Sequence, residues 1–369
     1  MLRRLTLGLA AISVAVAVAA CNSSTTTNLS IGPNFATSTL YAADTSQNAI
    51  AIFSAATASL AAPSYQIGGS TTTLNSPQYL DFDSSGNLWV TNYNAGTGAA
   101  TLLEFKALAT GGVLPIASYN GSTLLIPQPR GISIARSANL MALSTLNPTA
   151  SAASEVLVYT IAGGIPFLED TLGGPASLID VPTGLEFTSN NAVVVANSGD
   201  ATVATYTLPT ATPSPSATAT ATASPSPSPS PSASASPTAS PAPTSTPLDL
   251  VPTSAIVGAA TLLGSPRGVA VVSSGAIYVA DPSAIGIGPA VLVFAANANG
   301  NVAPTSTIAG SATGLIAPTD VKLDGAGNIY VADSGAGKVF VFAAGASGNV
   351  APKAALTVGG TVTGIALSP

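Results

Sequence analysis

The chain has 369 residues, enough for a large core in one or two domains. Only 7% of them are charged, against roughly 25% in an average soluble domain, histidine is absent and cysteine occurs once. Without imidazole, Ser-His-Asp and Cys-His catalysis are excluded; a lone thiol excludes an internal disulfide; any metal would need oxygen ligands, which favours Ca²⁺ or Mg²⁺. The formal charge is −6, with 9 Lys+Arg scattered among 15 Asp+Glu, and a dispersed acidic balance without a basic face excludes nucleic acid as a partner.

The first element is residues 1–20. Arg3 and Arg4 precede an apolar run from Leu5 to Ala20, which at 16 residues is short for a span of about 20 and reads as a secretory signal. Val18-Ala19-Ala20-Cys21 resembles the lipobox of bacterial lipoproteins, with a branched apolar residue and two small ones before the cysteine. That resemblance implies cleavage ahead of Cys21, lipidation of its thiol, and a chain exported to the bacterial cell envelope and held on a membrane by lipid. Removing Arg3 and Arg4 leaves 7 bases against 15 acids, a net −8. Residues 21–37 are polar and are expected to be a tether.

From residue 38 one phrase recurs. Leu40-Tyr41-Ala42-Ala43-Asp44 is followed by Leu88-Trp89-Val90-Thr91-Asn92, Leu140-Met141-Ala142-Leu143-Ser144 and Val193-Val194-Val195-Ala196-Asn197. Ile277-Tyr278-Val279-Ala280-Asp281 and Ile329-Tyr330-Val331-Ala332-Asp333 complete the set. The intervals are 48, 52, 53, 84 and 52 residues; the long one holds a Pro/Ser/Thr/Ala tract at 209–247, and removing those 39 residues leaves 45. A period near 50 is that of propeller blades or solenoid units. The tract lacks the side chains to bury a core and is expected to be an extended, disordered loop.

Each unit opens on a proline, as in "PQYLDF", "PRGISI", "PTGLEF", "PRGVAV" and "PTDVKL". A Gly/Asn turn, the recurring phrase, a second turn, an apolar run such as "KVFVF" and a weaker fourth run follow. That is four short strands per unit. They are apolar on both faces, Ile329 and Val331 pointing one way and Tyr330 and Ala332 the other, so each sheet must be covered on both sides. "PTDVKLDGAGNIYVADSGAGKVFVF" resembles an NHL repeat, and Pro266 to Phe294 and Pro77 to Phe105 are similar to it. The chain ends in an opening strand, "TVTGIALSP", and begins past the tether with a second strand, "STLYAAD". Joining them makes a sixth unit. The expectation for residues 38–369 is an all-β, six-bladed propeller with four-stranded blades, closed by the C-terminal strand on the N-terminal blade.

Alternating strand direction puts two sets of residues at one mouth of the channel. One follows the opening proline: Gln78, Arg130, Thr183, Arg267, Thr319 and Thr363. The other ends the second strand: Asp44, Asn92, Ser144, Asn197, Asp281 and Asp333. Asp and Asn there can cap turns through backbone N–H groups. Arg130 and Arg267 have the chemistry to clamp an anion, or to pair with a neighbouring acid. The tract and the tether are both expected on the opposite face.

Two functions follow. NHL-like propellers imply a non-catalytic binding module, a monomer that meets a protein or another cell-surface partner and needs no cofactor. Propellers resembling gluconolactonases imply a metal-dependent lactonase or esterase, with Ca²⁺ held at the mouth; Asn92, Asn197, Asp281 and Asp333 are the residues of the right type. That resemblance also calls for a glutamate from an early opening strand, where "TVTGIALSP" has no acid, and lyases that hold zinc through histidine are excluded. The binding module is the preferred expectation, with no catalytic residue assigned.

Overall fold

A computed structural model describes residues 39–54, 62–146, 154–209 and 248–369. The signal, Cys21, the tether and nearly all of the Pro/Ser/Thr/Ala tract lie outside them. The strands in chain order are β1 (Leu40–Asp44), β2 (Ala49–Phe53) and β3 (Tyr65–Gly68); β4 (Pro77–Phe82), β5 (Leu88–Asn94), β6 (Ala99–Phe105) and β7 (Ala117–Asn120); and β8 (Pro129–Ala135), β9 (Leu140–Thr145), β10 (Glu155–Ala162) and β11 (Ile165–Leu172). They continue as β12 (Pro182–Phe187), β13 (Val193–Asn197), β14 (Thr202–Tyr206) and β15 (Ser254–Ile256), then β16 (Val269–Val271), β17 (Ile277–Ala284), β18 (Gly288–Phe294) and β19 (Ser306–Ala309). The last are β20 (Pro318–Leu323), β21 (Ile329–Asp333), β22 (Lys338–Phe342), β23 (Ala354–Thr357) and β24 (Val362–Leu367).

These strands form six four-stranded antiparallel sheets, each a run of consecutive strands except one ordered β24-β1-β2-β3. There Leu40 pairs with Leu367 and Ala42 with Ile365, so the last strand completes the first blade. The opening strands β24, β4, β8, β12, β16 and β20 pack each against the next in a closed cycle. The molecule is a six-bladed β-propeller.

Its core is six apolar layers, one per pair of adjacent blades. Ile329 and Val331 join Val291 and Ile308 of the preceding blade, while Tyr330 and Ala332 join Leu40 and Ile365 of the following one. This is why the strands lack a polar face: the period-2 alternation delivers residues to two different dry interfaces. Three inter-blade connections repeat a one-turn helix, Ser70–Thr72, Ala259–Thr261 and Ser311–Thr313, in which the threonine hydroxyl donates to the carbonyl of Gly69, Gly258 or Gly310 at 2.8, 2.7 and 2.7 Å.

One register differs from the sequence expectation. In the third blade Pro129 pairs with Thr145, as Pro77 pairs with Asn92 and Pro318 with Asp333. Thr145 therefore holds the end-of-strand position, and Ser144 lies one residue before it. The cause is the β8–β9 turn: Ile134 and Met141 bracket one residue more than Phe82 and Leu88 do. The tract leaves β14 at the end that pairs with Val193, the far end from the rim, but the chain rejoins at Leu248 on the perimeter, where its N–H donates to Thr171 C=O at 2.7 Å.

Candidate functional site

An innermost strand is hydrogen-bonded on one edge only, so the other edge exposes backbone groups to the channel. The fold satisfies many of them with side chains of the preceding blade. Thr183 donates to Arg267 C=O at 2.8 Å and Thr363 to Gln78 C=O at 2.6 Å. Thr91 donates to Arg130 C=O at 3.0 Å and Ser144 to Thr183 C=O at 2.5 Å. The acceptors are carboxylates: Asp81 takes the Ile134 N–H at 2.7 Å and Asp320 the Ile365 N–H at 2.9 Å. The glycine two residues after the proline makes this approach feasible. A Cβ at Gly184 would meet Arg267 O at 2.5 Å and Gly268 Cα at 2.7 Å, and the Gly184 N–H bonds that same carbonyl at 2.6 Å.

The register sets the start of the opening strand beside the end of the second: Pro77 pairs with Asn92, Pro182 with Asn197 and Pro318 with Asp333. The aspartates are engaged by backbone. Asp333 accepts N–H bonds from Ile316, Ala317 and Ala336 at 2.7, 3.0 and 2.9 Å. Asp281 accepts from Gly264, Ser265 and Ser283, and Asp44 from Gln47 and the Ser46 hydroxyl. Asp281 and Asp333 tie the connection ahead of their blade to the end of its second strand, and Asp44 caps the turn that follows its own. Asn92 donates to Thr73 C=O and Thr101 Oγ1, and Asn197 to Thr202 Oγ1; the Oδ1 of each is buried without a hydrogen-bond partner. A divalent ion requires several converging oxygens. Asp281 and Asp333 have already spent theirs, the two free amide oxygens belong to blades separated by the Thr145 blade, and among the described residues no three His, Cys, Asp or Glu side chains converge. The set does not fit such an ion.

Arg130 and Arg267 stand where threonine stands in three other blades. Their backbones are held by the neighbouring blades, as above, and their side chains are half-buried. Neither forms an ion pair: among the described residues the pairs are Arg136 with Asp81 at 3.3 Å and Lys322 with Glu186. The Nε of each arginine is buried without a hydrogen-bond partner. Burial pushes the Arg130 guanidinium below its ordinary value, the phenols of Tyr79 and Tyr93 act the other way, and Arg267 is near enough to push it further down. Among the described residues no acid pairs with either guanidinium.

Below the rim lies a layer the sequence reading missed. Tyr79 reaches past Gly364 of the first blade to donate its hydroxyl to Thr319 C=O at 2.9 Å, linking the second blade to the sixth. Deeper still, Lys322 reaches Glu186 two blades away, past Ala270. Burial opposes the Lys322 charge, but Glu186, Asp320 and Asp81 together raise its pKa and keep it protonated. Burial pushes the Asp320 carboxyl up to about 7, against the pull of Lys322 and two backbone N–H groups. The signal was present: Asp81, Glu186 and Lys322 occupy the same place in "PQYLDF", "PTGLEF" and "PTDVKL", a charged residue between two apolar ones. Only the ring's diameter shows that they meet.

No family model matches the chain, and no curated protein matches it. Solved structures do. A chain of a nidogen/laminin complex superposes with a TM-score of 0.53 at 10% identity, covering 90% of this chain and 98% of its own. A protein of unknown function from Bacteroides caccae gives 0.54 at 9% identity, over 90% and 99%. A Bacteroides uniformis protein described as a candidate 6-phosphogluconolactonase gives 0.51 at 10%, over 89% and 99%. At such identity the likeness establishes the propeller fold and nothing finer.

Proposed function

We propose that this chain is an NHL-like propeller, lipid-anchored through Cys21 in a bacterial cell envelope, that acts as a non-catalytic binding module. Its ligand is an anionic group of a protein or cell-surface partner, received at the channel mouth by Arg130 and Arg267. One observation carries the reading: the guanidiniums of Arg130 and Arg267, on the third and fifth blades, have no carboxylate partner among the described residues, and each keeps a buried, unpaired Nε–H. A buried donor left unmade is worth about 1–3 kcal/mol to whatever satisfies it, and a guanidinium fork matches carboxylate and phosphate geometry. The lactonase-like alternative needs ion ligands at the same mouth, where Asp281 and Asp333 are committed to backbone.

The test is calorimetric titration of the purified chain with sulfate, phosphate and citrate, at ionic strength matched with chloride. Saturable binding that falls at least about tenfold in Arg130→Ala and in Arg267→Ala is expected, the loss of one charge-assisted bond of about 1.5–3 kcal/mol. Equal binding by the variants, or none by the parent, refutes it. Separately, Cys21→Ser should release the chain from the membrane fraction.

A further inference from the structure

A second cleft opens between the second and third blades, away from the rim. Its volume is about 680 Å³, within the range of small-ligand pockets. Its floor is Glu104 and Asn87, its walls Ile116, Ile134, Ile161 and Tyr119, and the β10–β11 hairpin closes one side. That hairpin turns through Gly163 and Gly164, with φ +60° and +80°, the left-handed pair a two-residue turn demands. Tyr119 holds it in place, donating to Gly164 C=O at 2.7 Å, and its ring stacks on Trp89 at 5.9 Å.

Glu104 is out of place in the repeat. It pairs across the strands with Trp89; the corresponding residues of the other blades are Ile52, Val158, Thr205, Val293 and Val341. The fold therefore does not require an acid here, yet this one is only 4% exposed. Oε1 accepts from Asn87 Nδ2 at 2.8 Å, and Oε2 takes no hydrogen bond among the described residues. No lysine or arginine lines the cleft. Asp83, beside it, is saturated: Ser85 N, Asn87 N, Asn87 Nδ2 and Trp89 Nε1 all donate to its carboxylate.

We infer that this cleft is a binding site for a primary alkylammonium group, its nitrogen on Glu104 Oε2 and its aliphatic stem between Tyr119 and the isoleucines. One free carboxylate oxygen suits a monovalent organic cation; a divalent metal needs several oxygens, and Asp83 has none to give. Anions are repelled by both acids, and the apolar walls favour a stem over a bare ion. The groups facing Glu104 that titrate are Asp83 and Tyr119. Burial, opposed by the Asn87 hydrogen bond and aided by Asp83, pushes its carboxyl up to about 7. An empty site is therefore largely protonated in mild acid and accepts an ammonium as it ionises.

The test uses the purified chain with labelled isoleucine methyls, titrated with n-butylamine hydrochloride and, as controls, n-butanol and CaCl₂. Saturable shifts at Ile116, Ile134 and Ile161 are expected with the amine alone. Its affinity should rise about tenfold or more between pH 5.5 and pH 8 as Glu104 ionises. Glu104→Gln keeps the Asn87 contact and should lose both the binding and its pH dependence. Absence of saturation, equal binding in the Gln variant, pH-independent binding by the parent, or saturation by Ca²⁺ instead would each overturn the inference. The rim arginines take no part, so Arg130→Ala should bind the amine as the parent does.

Discussion

Removing residues 361–369 deletes β24 and nothing else of regular structure. Val362 and Ile365 are fully buried and Ala366 is 2% exposed, and β24 pairs with β1 from Leu40↔Leu367 to Asp44↔Val362. Re-exposing two fully buried aliphatic side chains loses about 3–6 kcal/mol. Some four ladder hydrogen bonds at about 0.5–1.5 kcal/mol each add about 2–6 more. The total, about 5–12 kcal/mol, is comparable to the whole stability of a domain, about 5–15 kcal/mol. The truncated chain should therefore be largely unfolded in water at 25 °C, whereas Ile365→Ala alone should cost about 2–5 kcal/mol and keep a cooperative transition. Guanidinium unfolding followed by far-ultraviolet circular dichroism measures both. A peptide spanning 360–369 added in trans should restore part of the signal in a concentration-dependent way. A truncated chain with the parental midpoint and slope would refute closure as the source of this stability.

Two further outcomes follow from buried carboxylates. The folded Glu104 carboxyl titrates near 7 and the unfolded one at 4.5, so the folded state holds its proton more tightly. Its contribution is fully present below pH 4.5 and is lost as pH rises through about 7. The shift corresponds to about 3 kcal/mol; with the cleft open beside Oε2, about 1–2 kcal/mol is expected. Glu104→Gln should thus be more stable than the parent at pH 8 and equal to it near pH 4.5, by denaturant midpoints at the two values. Asp333→Ala should destabilise by about 3 kcal/mol, since three N–H donors lose their acceptor, and the loss should be the same with EDTA or with Ca²⁺.

The blades were legible because their signals are local. A proline, a turn, "YVAD" and a second apolar run identify strands whatever the ring does with them, and the matched half-units at 362–367 and 40–44 foretold the join. The third blade slipped by one because Leu140 looks like the start of its phrase, although Met141 fills the position of Leu88; alternation alone cannot count turn residues. The connection signature was equally visible in "GSTT", "GAAT" and "GSAT" but carried no meaning until Thr72, Thr261 and Thr313 were seen to bond back to the glycine. The place of Arg130 and Arg267 directly after their opening prolines could be read from the sequence. Their lack of partners could not, because it depends on side chains from other blades. Glu104 gave the faintest signal, one acid in "TLLEFK" where its equivalents are apolar or threonine.

The most direct test of the proposed function is the melting temperature of the purified chain with phosphate or citrate and, separately, with EDTA and Ca²⁺. A ligand present at one hundred times its dissociation constant stabilises by about 2.7 kcal/mol, a shift of several degrees. The account predicts that shift with the anions, its loss in the Arg130→Ala, Arg267→Ala double variant, and no shift with Ca²⁺. A Ca²⁺ shift abolished by Asn197→Ala, with no response to anions, would contradict it and make the mouth a metal site.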